Sequence, residues 1–302
     1  VGDQIVKVFN YDVERSTWFV MDRFFRSLQP APRLAMTILR GDSEPKQIIV
    51  EAKIKQAKHT VDATSEFDVD VWLYGEPDAY EEEINKSAYI PPDKNGIGYV
   101  LLKSFEYDED RIAKIVNNVD DAKAIILDLR GNGGGAVKSL QVMLGKFVTS
   151  DEGIATVIKR KKTEELKVKP QHHPFTGPLV VLVDSESASA AEMFARHVQR
   201  TKRGLILGDL SSGLVNVSNI FPEKIGAESV VFFGTQISVG KVVFPGDEIL
   251  EGKGVIPDQM CLPTHETLVK DFDPCFALAK SILREKLGIK DEPKTEPGRG
   301  SN

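Results

Sequence analysis

The sequence predicts a layered α/β domain with parallel strand pairs, preceded by a small α+β unit. Short runs such as Ala124-Ile125-Ile126-Leu127-Asp128-Leu129 and Leu179-Val180-Val181-Leu182-Val183 have the length and unbroken apolarity of strands buried on both faces. They alternate with amphipathic stretches of helical spacing, the order expected of a sheet covered by helices. The chain of 302 residues, 41% hydrophobic and 28% charged, has material for a real core, which sets aside wholesale disorder, collagen-like and coiled-coil readings.

Taken in order, Ile5 to Phe9 reads as a short strand ending at Asn10. Ser16 can cap a helix carrying Trp18, Phe19, Met21, Phe24, Phe25 and Leu28, which Pro30 and Pro32 stop. Strands over 33–39 and 47–54 follow, joined by the turn chemistry of Arg40-Gly41-Asp42-Ser43-Glu44-Pro45. Residues 57–95, polar and acidic with Glu81-Glu82-Glu83 and Pro91-Pro92-Asp93, form a connector. From Gly96 the pattern becomes strand (98–102), helix (108–119), strand (124–129), helix (138–148), strand (179–183), helix (190–200) and strand (204–208). Segments 229–238 and 241–244 are hairpin-like, and 273–287 makes a final helix. The tail over 290–302, rich in Lys, Glu, Pro and Gly, is expected to be disordered. The expected organisation is thus a small unit over 1–56, the connector over 57–95, an α/β core over 96–289 and the tail.

Charge and composition exclude several functions. Lys+Arg 39 against Asp+Glu 45 gives 39 − 45 = −6, and without a basic block a sequence-independent grip on nucleic acid is not expected. The one dense run, Lys159-Arg160-Lys161-Lys162, stands beside Thr163-Glu164-Glu165 and reads as a solvated hairpin or loop. No apolar run approaches the roughly 18 residues of a membrane span. No His/Cys/Glu spacing matches a metal site and no cofactor is expected. Cys261 and Cys275, if paired, would close a loop of 275 − 261 = 14 steps; spacing alone leaves their pairing open. The start, Val1-Gly2-Asp3-Gln4, has neither the basic nor the apolar region of a signal peptide, so an exported protein would already have lost its signal.

Two loops follow core strands. The first, Arg130-Gly131-Asn132-Gly133-Gly134-Gly135, exposes backbone amides between a strand and a helix, a nest for a phosphate, a carboxylate or the oxyanion of an acyl-transfer intermediate; it is also explained as a tight turn. It lacks the Lys-Ser/Thr of a phosphate-binding Walker loop. The second, Asp184-Ser185-Glu186-Ser187-Ala188-Ser189-Ala190-Ala191-Glu192, runs into a helix. A serine there has its hydroxyl at a positive helix end, with the next amide available to an oxyanion. Taken alone the serines are equally explained by N-capping, which is the preferred reading of Ser187, while Glu192 reads as a first-turn charge complementing the helix dipole.

In combination, "DLRGNGGG", "LVDSESASAAEMF", "LILGDLSSG" and "ILEGKGVIPD" resemble the tail-specific (C-terminal processing) and tricorn-type serine peptidases, over residues 96–288 in order. The resemblance implies a crotonase-like layered α/β core, with Ser189 as nucleophile and the Ala190 amide with Gly133 or Gly134 as oxyanion donors. The N-terminal unit resembles the second half of a PDZ domain, with Gly2-Asp3-Gln4-Ile5 as its "GDxI" strand. Its first strands and carboxylate-binding loop would lie upstream of Val1, so peptide binding by this unit is not inferred. Bacterial tail-specific enzymes place a lysine base in a segment matching Gly208 to Val215, and Leu214 stands at that position. A leucine cannot take a proton. Tricorn-type relatives use a His and a Glu instead; the Glu falls on Glu251, and the His would precede Val1.

Internal histidines are poor substitutes. His197 is two turns from Ser189 on the same helix, about 12 Å by helix rise. His172 and His173 remain as candidates only if their loop folds back, and His59 and His265 stand in polar surroundings. The expected function is serine-type hydrolysis of peptide or protein substrates, with room for a homo-oligomer and, by family habit, an extracytoplasmic setting. The alternatives are a retired relative that binds hydrophobic ligands, as interphotoreceptor retinoid-binding modules do, and a scaffold whose working part is the PDZ-like half.

Overall fold

The computed structural model describes residues 1–14, 17–18, 20–21, 24–25, 32–51, 87–106, 109–225 and 231–289. The chain packs as two units, one from residues 1–62 with 262–274 and the other from 63–261 with 275–302.

In the first unit β1 (Gln4–Val8), β2 (Tyr11–Asp12), β3 (Arg33–Leu39) and β4 (Lys46–Glu51) form an antiparallel sheet in the order β2-β1-β3-β4. Val8 opposite Tyr11 leaves a two-residue turn in which Phe9 takes φ 52°, while Val8 and Ile38 are buried. Arg40 donates twice to the Asp3 carboxylate at 2.7 Å. The short helix His265–Val269, capped by Thr264, belongs to this unit, and His265 Nδ1 lies 2.9 Å from the Gly2 carbonyl. The segment Leu262–Pro274 groups with this unit. The expected helix from Ser16 to Leu28 lies largely outside the described residues, as do the connector before Ser87 and the tail from 290.

The second unit holds the α/β layers. Its six-stranded sheet runs β14-β11-β10-β7-β6-β5, built from β5 (Ala88–Ile90), β6 (Ile97–Leu101), β7 (Ala124–Asp128), β10 (Leu179–Val183), β11 (Leu205–Gly208) and β14 (Gln259–Met260). All neighbours are parallel except the β5–β6 edge pair. Every residue of β7 and β10 is buried, because helices cover both faces. On one face Ile125, Leu127, Val181 and Val183 pack with Ile112 and Val116 of α1 (Glu109–Asn117), Leu140 and Leu144 of α2 (Val137–Gly145), and Phe194 and Val198 of α3 (Ala190–Arg200). On the other, Ala124, Ile126, Val180, Leu182 and Leu207 meet Cys275, Ala279 and Leu283 of the C-terminal helix Pro274–Lys286.

A second, antiparallel sheet, in the order β12-β13-β8-β9, contains β8 (Glu152–Lys159), β9 (Thr163–Val168), β12 (Val217–Ile225) and β13 (Val231–Val243). The basic run forms the β8–β9 turn, where Lys159 and Lys162 both pair with Glu164. Residues 231–243 form one thirteen-residue strand rather than two segments. Gly240 there is no turn residue: a Cβ at that position would stand 2.8 Å from Val157 Cγ1 on β8, so the glycine admits a cross-strand neighbour.

Cys261 and Cys275 form a disulfide, Cα–Cα 5.2 Å. It closes a loop whose chain-entropy contribution is about 3 kcal/mol. Replacing both cysteines by serine is expected to lower the unfolding free energy by about that amount, read from urea unfolding curves with the m-value fitted separately for each protein.

Candidate active site

The parallel neighbours β7 and β10 open at the same end of the sheet, where open α/β sheets carry their sites. The loops leaving them are stitched together by buried polar side chains. Asn132 donates from Nδ2 to the Leu102 carbonyl at 2.8 Å, accepts the Gly134 N–H on Oδ1 at 2.9 Å, and accepts the Ala188 N–H on its own carbonyl. Ser187, also buried, donates to the Leu129 carbonyl at 2.8 Å and accepts the Asp184 N–H at 3.0 Å; Asp184 in turn accepts the Gly131 N–H at 2.9 Å. Ser187 is therefore a clamp between two strand ends and not the N-cap of α3. That position belongs to Ser189.

Ser189 sits at φ 53°, ψ −114°, a strained backbone for a residue with a side chain. It is part-exposed, and its N–H is shared between the Leu214 carbonyl at 2.9 Å and Glu192 Oε2 at 3.0 Å. Gly134 lies against it: with φ +102°, a Cβ there would be 2.6 Å from Ser189 Cβ and 3.1 Å from the Ala190 nitrogen. The Gly134 N–H is consumed by Asn132, whereas neither Gly133 nor Ala190 donates its N–H to a partner among the described residues. Gly133 is exposed and faces open space. Of the two glycines considered from sequence, Gly133 is the one with an available donor.

Glu192 has a larger role than dipole complement. Its fully buried carboxylate accepts Ser211 Oγ–H at 2.6 Å and the Gly213 N–H at 2.8 Å on Oε1, and the Leu214 and Ser189 N–H groups, both at 3.0 Å, on Oε2. Burial pushes its pKa up, against the pull of those four donors. Glu251, part-exposed, accepts the Val215 and Asn216 N–H groups on Oε2, both at 2.8 Å. Leu214, whose N–H donates to Glu192, is 51% exposed.

The histidines stand away from this arrangement. His197 is buried, with Nε2 2.8 Å from the Glu152 carboxylate and its pKa lowered by desolvation. His172 and His173 belong to the segment held by Gln171 N–H on the Gly145 carbonyl and by Lys146 Nζ on the His173 carbonyl. That segment feeds the N-terminal end of β10, about 13 Å of strand before the turn that carries Ser189. His265 lies in the other unit and His59 outside the described residues. Among the described residues no group of His, Cys, Asp and Glu could hold a metal ion, and no helix is long and apolar enough to cross a membrane.

The sequence pattern of peptidase family S41 matches residues 96–260, more than half of the chain and the whole of the stretch that builds these loops. The chain belongs to peptidase family S41. Among curated relatives, this S41 chain is 26% identical over 136 residues to the carboxy-terminal processing protease CtpB of Bacillus subtilis, covering 44% of the chain and 28% of that protein. It is 33% identical over 136 residues to the tail-specific protease of Haemophilus influenzae, covering 44% of the chain and 20% of that protein. The chain spans under a third of the length of these two relatives. Among solved structures, mature CPAF complexed with lactacystin superposes with a TM-score of 0.67 at 12% identity, over 96% of this chain and 79% of that one. The photosystem II D1 C-terminal processing protease gives 0.50 at 17% identity, over 89% and 64%. These likenesses establish the S41 α/β fold.

Proposed function

We propose that this S41 chain carries the nucleophile and oxyanion site of a serine peptidase. The observation that carries the reading is Ser189, held part-exposed in a strained turn at a helix start, with N–H groups on Ala190 and Gly133 that have no partner among the described residues. In this reading Ser189 Oγ attacks a peptide carbonyl carbon, and its proton passes to a base as the O–C bond forms. The two amides receive the developing oxyanion. The C–N bond then breaks, the amine leaves with the proton, and water hydrolyses the acyl-enzyme.

Leu214 at the lysine position and the remote His197 favour a base from outside the described residues, a histidine upstream of Val1 by family resemblance. Glu251, with both amide bonds on Oε2 and none on Oε1 among the described residues, is suited to orient it. The substrate class is peptide or protein, in line with the processing-protease names of its relatives. The four-stranded antiparallel unit is read as PDZ-like, and the disulfide supports an oxidising, extracytoplasmic setting.

The test is to treat the full-length protein with a fluorophosphonate and map the adduct by mass spectrometry. An adduct on Ser189 is expected. No adduct, with tight uptake of an apolar ligand, would instead favour a binding module, the reading that exposed Leu214 in place of a lysine supports.

A further inference from the structure

Residues 213–216 present four consecutive backbone N–H groups to two carboxylates. Gly213 and Leu214 donate to Glu192, and Val215 and Asn216 donate to Glu251. The same segment accepts the Ser189 N–H on the Leu214 carbonyl and the Gly252 N–H on the Gly213 carbonyl. Glu192 reaches this segment from the first turn of α3 and also holds the Ser189 N–H. One buried side chain therefore ties the serine to the strip of backbone that holds Glu251.

We infer that Glu192 is a positioning residue, whose carboxylate locks Ser189 in its strained backbone and sets the 213–216 strip, and through it Glu251, at a fixed distance from the serine. The inference rests on the reading of Ser189 as nucleophile and adds to it the element that keeps nucleophile and Glu251 in register. Glu192 is fully buried, and among the described residues no lysine, arginine or histidine pairs with it. Its charge is met by donors alone, aided by the positive end of α3. A buried carboxylate is costly where only shape is needed, since an apolar group of equal size would pack without desolvation. What an apolar group could not do is accept from Ser189, Ser211, Gly213 and Leu214 together. Ser211 extends the tie, because its Oγ also accepts the Val255 N–H at 2.6 Å, four residues beyond Glu251.

Glu192→Gln keeps the volume and removes this capacity. In one amide orientation the NH2 faces the Gly213 N–H, and in the other it faces the Leu214 and Ser189 N–H groups. Backbone donors cannot reverse, so the clamp opens on one side either way. The experiment measures inactivation of the full-length protein by a rhodamine-linked fluorophosphonate, resolved into the limiting rate and the half-saturating concentration, well below the melting temperature of each variant. Glu192→Gln is expected to slow the limiting rate about 100-fold, the scale of a misplaced reacting group, with half-saturation unchanged. A general loosening of the fold would move both. Wild type labelled at Ser189 with Glu192→Gln within threefold of it overturns the positioning role. Wild type that never labels removes the nucleophile reading itself, and the proposal with it, before any substitution is made. Should Glu192→Gln fail to fold, Ser211→Ala decides, since it leaves the carboxylate and its three amide donors. It is expected to slow the limiting rate about threefold to tenfold, and an unchanged rate overturns the proposal.

Discussion

Ser189→Ala in the full-length protein is expected to lower peptide hydrolysis by roughly 10⁴-fold or more, the scale seen when a serine nucleophile is removed while oxyanion donors and substrate binding remain. The backbone should hardly notice. Both acceptors of the Ser189 N–H, Leu214 and Glu192, are bonded through the main chain, and alanine keeps the Cβ that packs against Gly134. Thermal unfolding of Ser189→Ala should therefore stay within a few degrees of wild type. Ser189→Gly makes the sharper comparison. Glycine adopts φ 53°, ψ −114° without the steric cost a side chain incurs, so that variant should be equally inactive yet more stable by about 1 kcal/mol. A gain in stability where the hydroxyl is lost would mark strain retained for chemistry. Hydrolysis surviving in both variants would remove Ser189 from the mechanism.

The parts of the molecule legible in the sequence are those whose burial is decided locally. β7 and β10 stand out as continuous apolar runs because helices cover both faces, and α3 matches its spacing from Ala190 to Arg200. The β8–β9 pair and β12 did not read as strands. β8 and β9 mix exposed, intermediate and buried positions, and β12 contains Pro222, so only tertiary pairing reveals them. Gly240 lies between the hairpin-like segments read at 229–238 and 241–244, and glycine in a strand looks like glycine in a turn until Val157 is seen across the ladder. At the site, the strand-to-helix junction marked a run of serines, and only the family resemblance singled out Ser189 among them. Glu192 offered a signal too, since a glutamate three residues after a capping serine is poised to reach back to it. Its remaining donors lie 211 − 192 = 19 or more residues further along, where no local rule reaches. Asn132 gave no sign that it would consume the Gly134 N–H, which is why Gly133 and Gly134 could not be told apart.

Gly134→Ala is expected to cost about 10²- to 10³-fold in hydrolysis by the full-length protein, even though Gly134 donates nothing to the oxyanion in this arrangement. The new methyl would stand 2.6 Å from Ser189 Cβ, 2.9 Å from the Ala188 carbonyl and 3.1 Å from the Ala190 nitrogen, on a backbone at φ +102° that disfavours any side chain. All three atoms belong to the turn that carries Ser189, and two of them are backbone that cannot swing aside. The strain is relieved only by pushing the first loop away from the second, which parts Ser189 and the Ala190 N–H from Gly133. A displacement near 1 Å between nucleophile and oxyanion donors accounts for a loss of that size. Gly153→Ala serves as the control, because a Cβ there meets nothing within 4 Å and its φ lies outside the left-handed region; its activity should match wild type. The contrast is read as kcat against KM on one fluorogenic peptide, with kcat carrying the Gly134→Ala loss. Equal activity in the two variants would mean that the close approach of Gly134 to Ser189 does not set the reacting geometry.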